Sequence, residues 1–326
     1  MSKEKPPAPF WQRFDINRIE DLRNAVLGAE LEAVQMAGAR VRGSLAFAAR
    51  DGVIFSTGCI RGRVSISGPL SRETITVGVG LTFGPGSRFW LNPVTDGDVA
   101  VFLPGEACDV LFAEGSLYLA ANLAEERLEE EAARHDLVLD RRTILRTGLH
   151  SRPIAPPTLA RLQGEVARLH DRCRIVGDEK IGGAVLQAVI EHYARLPAGG
   201  AGRSDPTGRG KIVHRAREFI RANLDRPISL DVLAVAAGAS QRTLARAFLE
   251  VLGDTPANYV RRLRLHRVRH ELVRDAASGR TIREIAAAWG VREPGRMADW
   301  YRDLFGEYPR DTLRMNLMRR RQAAAV

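Results

Sequence analysis

From about Ala37 to Leu123 the apolar positions fall in short runs broken by Gly, Pro and Asp. Val41–Ala49 and Gly52–Ile60 are two such runs, joined by Asp51-Gly52. That dipeptide favours a tight hairpin because both residues tolerate positive φ. Further strand-like runs follow at Val64–Ser67, Thr74–Leu81, Val99–Leu103, Cys108–Ala113 and Ser116–Ala121. Several short strands at this spacing predict a small barrel or sandwich.

The period then changes. Glu125–His135 is rich in helix formers. Leu159–Cys173 carries Leu159, Leu162, Val166 and Leu169 at helical spacing, and Ile181–Leu196 has a similar apolar face. Such a face buries against its own domain or pairs with a second copy, and the pattern leaves both open. Pro197–Gly210 is rich in Gly and Pro and reads as a linker.

After the linker every segment is short, amphipathic and helical. Lys211–Leu224 places Ile212, Ala216, Phe219, Ile220 and Leu224 on one stripe, and Asp225-Arg226-Pro227 ends it. Ser229 is placed to cap a helix over Leu230–Ala237, and Gly238 supplies a left-handed turn. Ser240 caps the next helix, Gln241–Leu252, whose inner face would be Leu244, Phe248 and Leu252. Helix, Gly-centred turn and helix together make a helix-turn-helix. Thr255-Pro256 opens a longer helix running to about Val273. The pattern then recurs. Thr281-Ile-Arg-Glu284 is a capping box before Ile282–Trp289, Gly290 is the turn, and a helix spans about Pro294–Phe305. Gly238 aligns with Gly290, Phe248 with Tyr301, and Gly253-x-x-Pro256 with Gly306-x-x-Pro309. A repeated motif is far more specific than a single tight helical hairpin.

The net charge of +10 is unevenly placed. From Lys211 to the end there are 23 Lys+Arg against 13 Asp+Glu, which leaves 26 of each sign elsewhere out of totals of 49 and 39. A basic module beside a neutral domain is the electrostatic footprint of phosphate binding. The three cysteines are far apart and imply no disulfide framework. No apolar run approaches the ~20 residues that span a bilayer, and the N-terminus lacks the apolar core of a signal peptide. These features predict a cytoplasmic protein.

The C-terminal hundred residues resemble the AraC/XylS family of transcription regulators. The match lies in Ser240-x-x-x-Leu244-x-Arg246-x-Phe248, Gly253-x-x-Pro256, Arg264-Leu265, Ile282-x-x-Ile285-Ala286 and Gly306-x-x-Pro309. Arg242–Phe248 and Trp289-Gly290…Gly295…Tyr301…Leu304-Phe305-Gly306-Glu307 are similar to the branch that includes the ethanolamine-utilisation regulators. The resemblance implies an α+β multidomain chain. A small β-barrel or sandwich with helices would form a sensor or dimerisation domain over residues 10–196 (β-rich 37–123, helical 124–196). A linker would span 197–210, and an all-α double helix-turn-helix domain 211–315. It also implies a bacterial, nucleoid-associated activator that binds double-stranded DNA, engages RNA polymerase and answers a small-molecule effector, with a homodimer open.

Two recognition helices on one chain could enter successive major grooves ~34 Å apart. On the first, Gln241, Arg242 and Arg246 are the base-edge candidates, and Ala245 could offer a methyl contact to thymine. Thr243 and the N-terminal amides suit phosphate, and the capping Ser240 is a further DNA-contact candidate. Arg261 and Arg262 on the connecting helix are backbone-contact candidates. The second copy departs from the pattern, because the position equivalent to Arg246 is Asp299. Phosphate repels an acid, which could read only a cytosine amino group. Arg292, Gly295 and Arg296 are the remaining candidates there. The first copy is therefore expected to supply most specificity and the second mainly to anchor.

The N-terminal domain shows no chemistry of its own. His135, His150, His170 and His192 lie outside the predicted strands, so a metal-binding barrel is not expected, nor any cofactor. Cys59 and Cys108 read as buried small hydrophobes rather than redox sensors. Phe47, Phe55, Phe83 and Trp90 either line a pocket or fill the core. His266 and His270 are spaced i,i+4 without a third ligand, which favours a packing or DNA-facing role over a metal clamp. No phosphate loop, zinc spacing or nucleophile motif points to an enzyme. Two readings compete: a ligand-independent architectural protein, and a methyl-accepting repair regulator using Cys173, which sits in no recognisable acceptor motif.

Overall fold

The computed structural model describes residues 11–38, 40–139, 146–171, 180–196, 205–206, 208–274, 279–291 and 293–323. It divides into two compact units, Met1–Ala33 with Val41–Asp205 and Val34–Arg40 with Pro206–Val326.

The first unit is built on twelve short strands: β1 Gln12–Ile16, β2 Glu32–Gln35, β3 Arg42–Arg50, β4 Val53–Arg61, β5 Val64–Pro69, β6 Ile75–Thr82, β7 Arg88–Phe89, β8 Asn92–Pro93, β9 Val99–Phe102, β10 Ala107–Phe112, β11 Ser116–Leu123 and β12 Gly148–Leu149. They form two sheets, ordered β1-β3-β4-β11-β6-β9-β12 and β2-β5-β10-β7-β8. Of the two architectures the sequence allowed, the sandwich is the one formed. The predicted hairpin is present, with Arg50 paired to Val53 and positive φ at Asp51 (50°) and Gly52 (76°).

Three helices follow, α1 Glu125–Ala133, α2 Pro156–His170 and α3 Lys180–Ala194. Period-2 alternation decides what they cover. Val77, Val79 and Leu81 of β6 join Leu128 of α1, Leu162 and Val166 of α2, and Val185 and Val189 of α3 in one buried cluster. Gly78, between two of those valines, lines a separate apolar cavity of ≈ 50 Å³ with Ile66, Phe89, Phe102, Phe112 and Tyr118. None of the four aromatics singled out from the sequence lines this cavity. Phe55 fills the core as part of the helix-side cluster, Phe47 packs on Phe14, Phe83 stacks on Phe112, and Trp90 leans on Phe102.

Both described cysteines are free thiols, Cys108 buried and Cys59 half-buried. Burial pushes the Cys108 thiol far above its ordinary range. Burial also raises Cys59, outweighing the nearby Arg61 and Arg13; Arg61 shares its strand face two residues on, while Arg13 comes from the neighbouring β1–β3 pair. Cys173 lies outside the described residues.

Of the four histidines singled out, His150 and His192 are buried, His170 is half-buried and His135 is exposed. His150 Nδ1 and His192 Nε2 lie 2.8 Å apart with their rings stacked, and His170 bridges Ser44 and Thr57. Burial, the largest cause for each, lowers His150 and His170 to about 4 and His192 to about 3 from 6.5. The unfolded chain therefore takes up these protons first. The stability contribution is intact above pH 6.5 and is lost as pH falls from there towards about 4. The melting temperature of this unit should drop between pH 7 and 5, an interval in which exposed carboxylates barely titrate.

The second unit is helical: α4 Arg209–Ala222, α5 Leu230–Ala237, α6 Gln241–Leu252, α7 Pro256–Arg274, α8 Ile282–Ala288, α9 Pro294–Phe305 and α10 Pro309–Ala323. It also takes in the stretch Val34–Arg40, whose first two residues are the end of β2. On α4 the buried stripe is Val213, Ala216, Arg217 and Ile220. Ile212 and Phe219, expected inside, are only half-buried.

Candidate nucleic-acid interface

The first motif is α5, the Gly238 turn and α6. Ser229 Oγ accepts from the Val232 amide at 3.3 Å and Ser240 Oγ from the Thr243 amide at 3.2 Å. Between the caps, Gly238 takes φ +64°, a conformation that costs a residue with a Cβ about 1 kcal/mol or more. Leu244, Ala247, Phe248, Val251 and Leu252 bury the inner face of α6, with Phe248 meeting Tyr259 of α7 edge-on at 5.7 Å.

The second motif repeats this with α8, Gly290 (φ +71°) and α9. The capping box is complete: the Thr281 amide donates to Glu284 Oε2 at 2.7 Å, and the Glu284 amide to Thr281 Oγ1 at 3.2 Å. Met297, Tyr301, Leu304 and Phe305 face inward.

A buried arginine stands at the same place in each copy. Arg217 Nε donates to Tyr259 Oη at 3.1 Å. Arg269 Nη1 reaches Glu307 at 2.8 Å, Tyr301 Oη at 3.3 Å and Thr312 Oγ1 at 3.4 Å. Tyr259 and Thr312 each lie three residues beyond the aligned prolines. The hydrophobic pattern hides these arginines, since a charge on a buried stripe reads as a break in it. Aligning the two copies position by position would have exposed them.

Arg264 joins the copies, donating to the carbonyls of Leu224 (3.0 Å), Arg226 (2.6 Å) and Gly290 (3.1 Å). Beside it a cleft of ≈ 450 Å³ opens between the motifs, lined by Ser229, Leu230, Val260, Arg261, Val291 and Trp300 among others.

The outer face of α6 carries Gln241, Arg242, Thr243 and Arg246, all exposed, while Ala245 is half-buried. Gln241 Nε2 donates to Asp231, and the Thr243 and Ser240 hydroxyls lie 2.9 Å apart. Among the described residues no ion pair engages Arg242 or Arg246. On α9, Gly295, Arg296 and Asp299 are exposed too. There Arg296 pairs with Glu293 at 3.1 Å, and Asp299 lies 3.7 Å from Arg302. The two faces thus differ in available charge. Arg292 lies outside the described residues.

The connecting-helix arginines part company. Arg261 lies over the Trp300 ring, 4.5 Å from its centroid, at the rim of the cleft. Arg262 turns inward, pairing with Asp254 at 2.9 Å and donating to the Met36 carbonyl. His266 is a packing residue, edge-on to Phe305 at 4.9 Å and accepting from the Gln35 amide. Among the described residues no group of three or more His, Cys, Asp or Glu side chains could hold a metal. No helix among them is long and apolar enough to cross a membrane.

Comparison with known proteins follows the same outline. A helix-turn-helix domain family matches residues 233–315. A XylDLEGF operon transcriptional activator of Pseudomonas putida is 30% identical over 239 residues, covering 71% of this chain and 70% of that protein. A solved regulator from Chromobacterium violaceum, with an AraC-type DNA-binding domain, is 30% identical over 32% of this chain and 91% of its own, at TM-score 0.30. The DNA-binding domain of AdpA, solved with a target DNA, is 22% identical over 34% of this chain and 97% of its own, at TM-score 0.31.

Proposed function

The chain belongs to the AraC/XylS family of DNA-binding transcription regulators, and we propose that it is an effector-responsive activator reading two adjacent major grooves with unequal helices. The observation that carries this reading is the contrast between the arginines of α6, exposed and outside any ion pair among the described residues, and the locally paired charges of α9. In it, Arg242 and Arg246 read base edges, with Gln241 and the Ala245 methyl beside them. Ser240, Thr243 and Arg261 hold phosphate, and α9 anchors through Gly295, Arg296 and its N-terminal amides. Arg262, spent on Asp254, is left out of the phosphate set.

Activation follows the Pseudomonas putida relative, whose name is that of an operon activator, and makes RNA polymerase a partner. The effector site in this reading is the apolar cavity of the first unit. Its lining includes no charged side chain, and the Tyr118 hydroxyl is already given to the Ala25 carbonyl. A small, uncharged, apolar molecule suits the chemistry of that lining best, because a buried unpaired charge is costly. At ≈ 50 Å³ the cavity holds only a few atoms as it stands, so its walls would have to move apart on binding. The amphipathic faces of α2 and α3 are largely spent on the internal cluster, so a homodimer would use other surfaces. The test is a thermal-shift screen of the full chain against small apolar compounds, with hits then added to a footprinting reaction. A compound that raises the melting temperature and changes operator protection is expected. Uniform DNA coating that no compound alters would identify an architectural protein instead.

A further inference from the structure

The stretch Val34–Arg40 belongs to the helical unit although it lies some 170 residues ahead of Pro206, where that unit resumes. Val34 and Met36 are buried. The Gln35 amide donates to His266 Nε2 on α7 at 2.9 Å, and the Gln35 side-chain amide donates to the Leu304 carbonyl near the end of α9. Arg40 Nη2 donates to the Gly306 carbonyl just beyond that helix at 2.6 Å. Arg262 holds the Met36 carbonyl while paired to Asp254, at the corner between α6 and α7. Gly38 packs so close that a Cβ there would lie 2.9 Å from the Asp303 carbonyl oxygen.

The physical sense lies in the helix end. The last four carbonyls of an α-helix have no partner within it, and the helix dipole places partial negative charge there. In α9 two acceptors at that end, Leu304 and Gly306, take donors from this strap, one of them a guanidinium. The other end of the strap is fixed to α7 and to the α6–α7 corner. We propose that Gln35 and Arg40 are positioning residues for the second recognition helix, and that the strap sets the angle of α9 relative to α6. The strap's hydrogen bonds with His266, Arg262, Leu304 and Gly306 lie on α7 and at the C-terminal end of α9, away from the exposed residues assigned to DNA. It acts through the C-terminus of the helix, and so on how deeply the α9 N-terminus enters its groove.

The test compares the full-length chain with its Gln35→Ala/Arg40→Ala variant by hydrogen exchange without DNA and by footprinting with it. Exchange of amides in 297–305 is expected to rise about tenfold or more, the consequence of two lost hydrogen bonds at a helix end, while the amides of α6 keep their protection. On DNA, protection of the groove bound by α9 weakens by a similar factor while that bound by α6 persists. Arg40→Lys, which keeps a cationic donor for Gly306, restores most of both. Unchanged exchange in 297–305, or an equal rise in α6 and α9, overturns the proposal, as does a Gly38→Val chain with native exchange in α9. A native chain that protects only one groove would overturn the two-groove reading, and the exchange data would still decide the role of the strap.

Discussion

Replacing Arg246 or Arg242 with alanine is expected to weaken binding to the preferred site by about 1–3 kcal/mol, the range for one good arginine–guanine contact. At ~1.4 kcal/mol per decade this is roughly 5- to 150-fold. The loss should be specific: in a selection from random duplexes, the preference at one or two positions of the first half-site relaxes and the rest of the site survives. The corresponding change at Arg296 should behave differently. Its guanidinium is shared with Glu293, and its neighbour Asp299 is an acid that phosphate repels. Arg296→Ala should therefore reduce affinity evenly across sequences and flatten the salt dependence by about one phosphate contact. Should Arg296→Ala reshape the selected site more than Arg242→Ala does, the assignment of unequal halves is wrong.

The larger effect on stability is expected at Arg269. Its side chain is 5% exposed and Glu307, its ion-pair partner, 16%. The guanidinium also lies over the Phe305 ring at 4.6 Å. Removing one member of a buried pair leaves an uncompensated charge, a loss of about 3–5 kcal/mol. Arg269→Ala should lower stability by that order in denaturant unfolding and release α9 and α10 together, since Tyr301 and Thr312 lose the same donor. Arg269→Met with Glu307→Gln should recover much of the loss, because no charge is then left stranded. A single variant as stable as the native chain would show that the Tyr301–Thr312 hydrogen bond at 2.9 Å holds this corner alone.

Most of the helical unit was legible because its punctuation is local. Ser229, Ser240, Thr281 and the left-handed glycines act within four residues, and the structure uses each where the sequence puts it. The strands from β3 onward were legible where a short apolar run stands between turn residues, as in Ile75–Thr82, and β2, with only four residues EAVQ, was not. β1 was not, since QRFDI is largely polar with Phe14 52% exposed. The two-residue strands β7, β8 and β12 are too short to show a period. Side-chain partners were harder still. Nothing local in Arg261-Arg262 says that one stacks on Trp300 while the other pairs with Asp254. The buried arginines and the strap share that cause, because each is fixed by residues distant in sequence.

The strap also bears on how the chain comes to be folded. Its contacts join residues 226 to 269 positions apart, so Gln35 and Arg40 leave the ribosome long before Leu304 and Gly306 exist. Closing so long a loop costs chain entropy that no nearby contact offsets until both ends are present. The second helix-turn-helix is therefore expected to mature last, while the first can complete as it emerges. A chain cut in the 197–208 connection would leave the DNA-binding half without seven of its own residues.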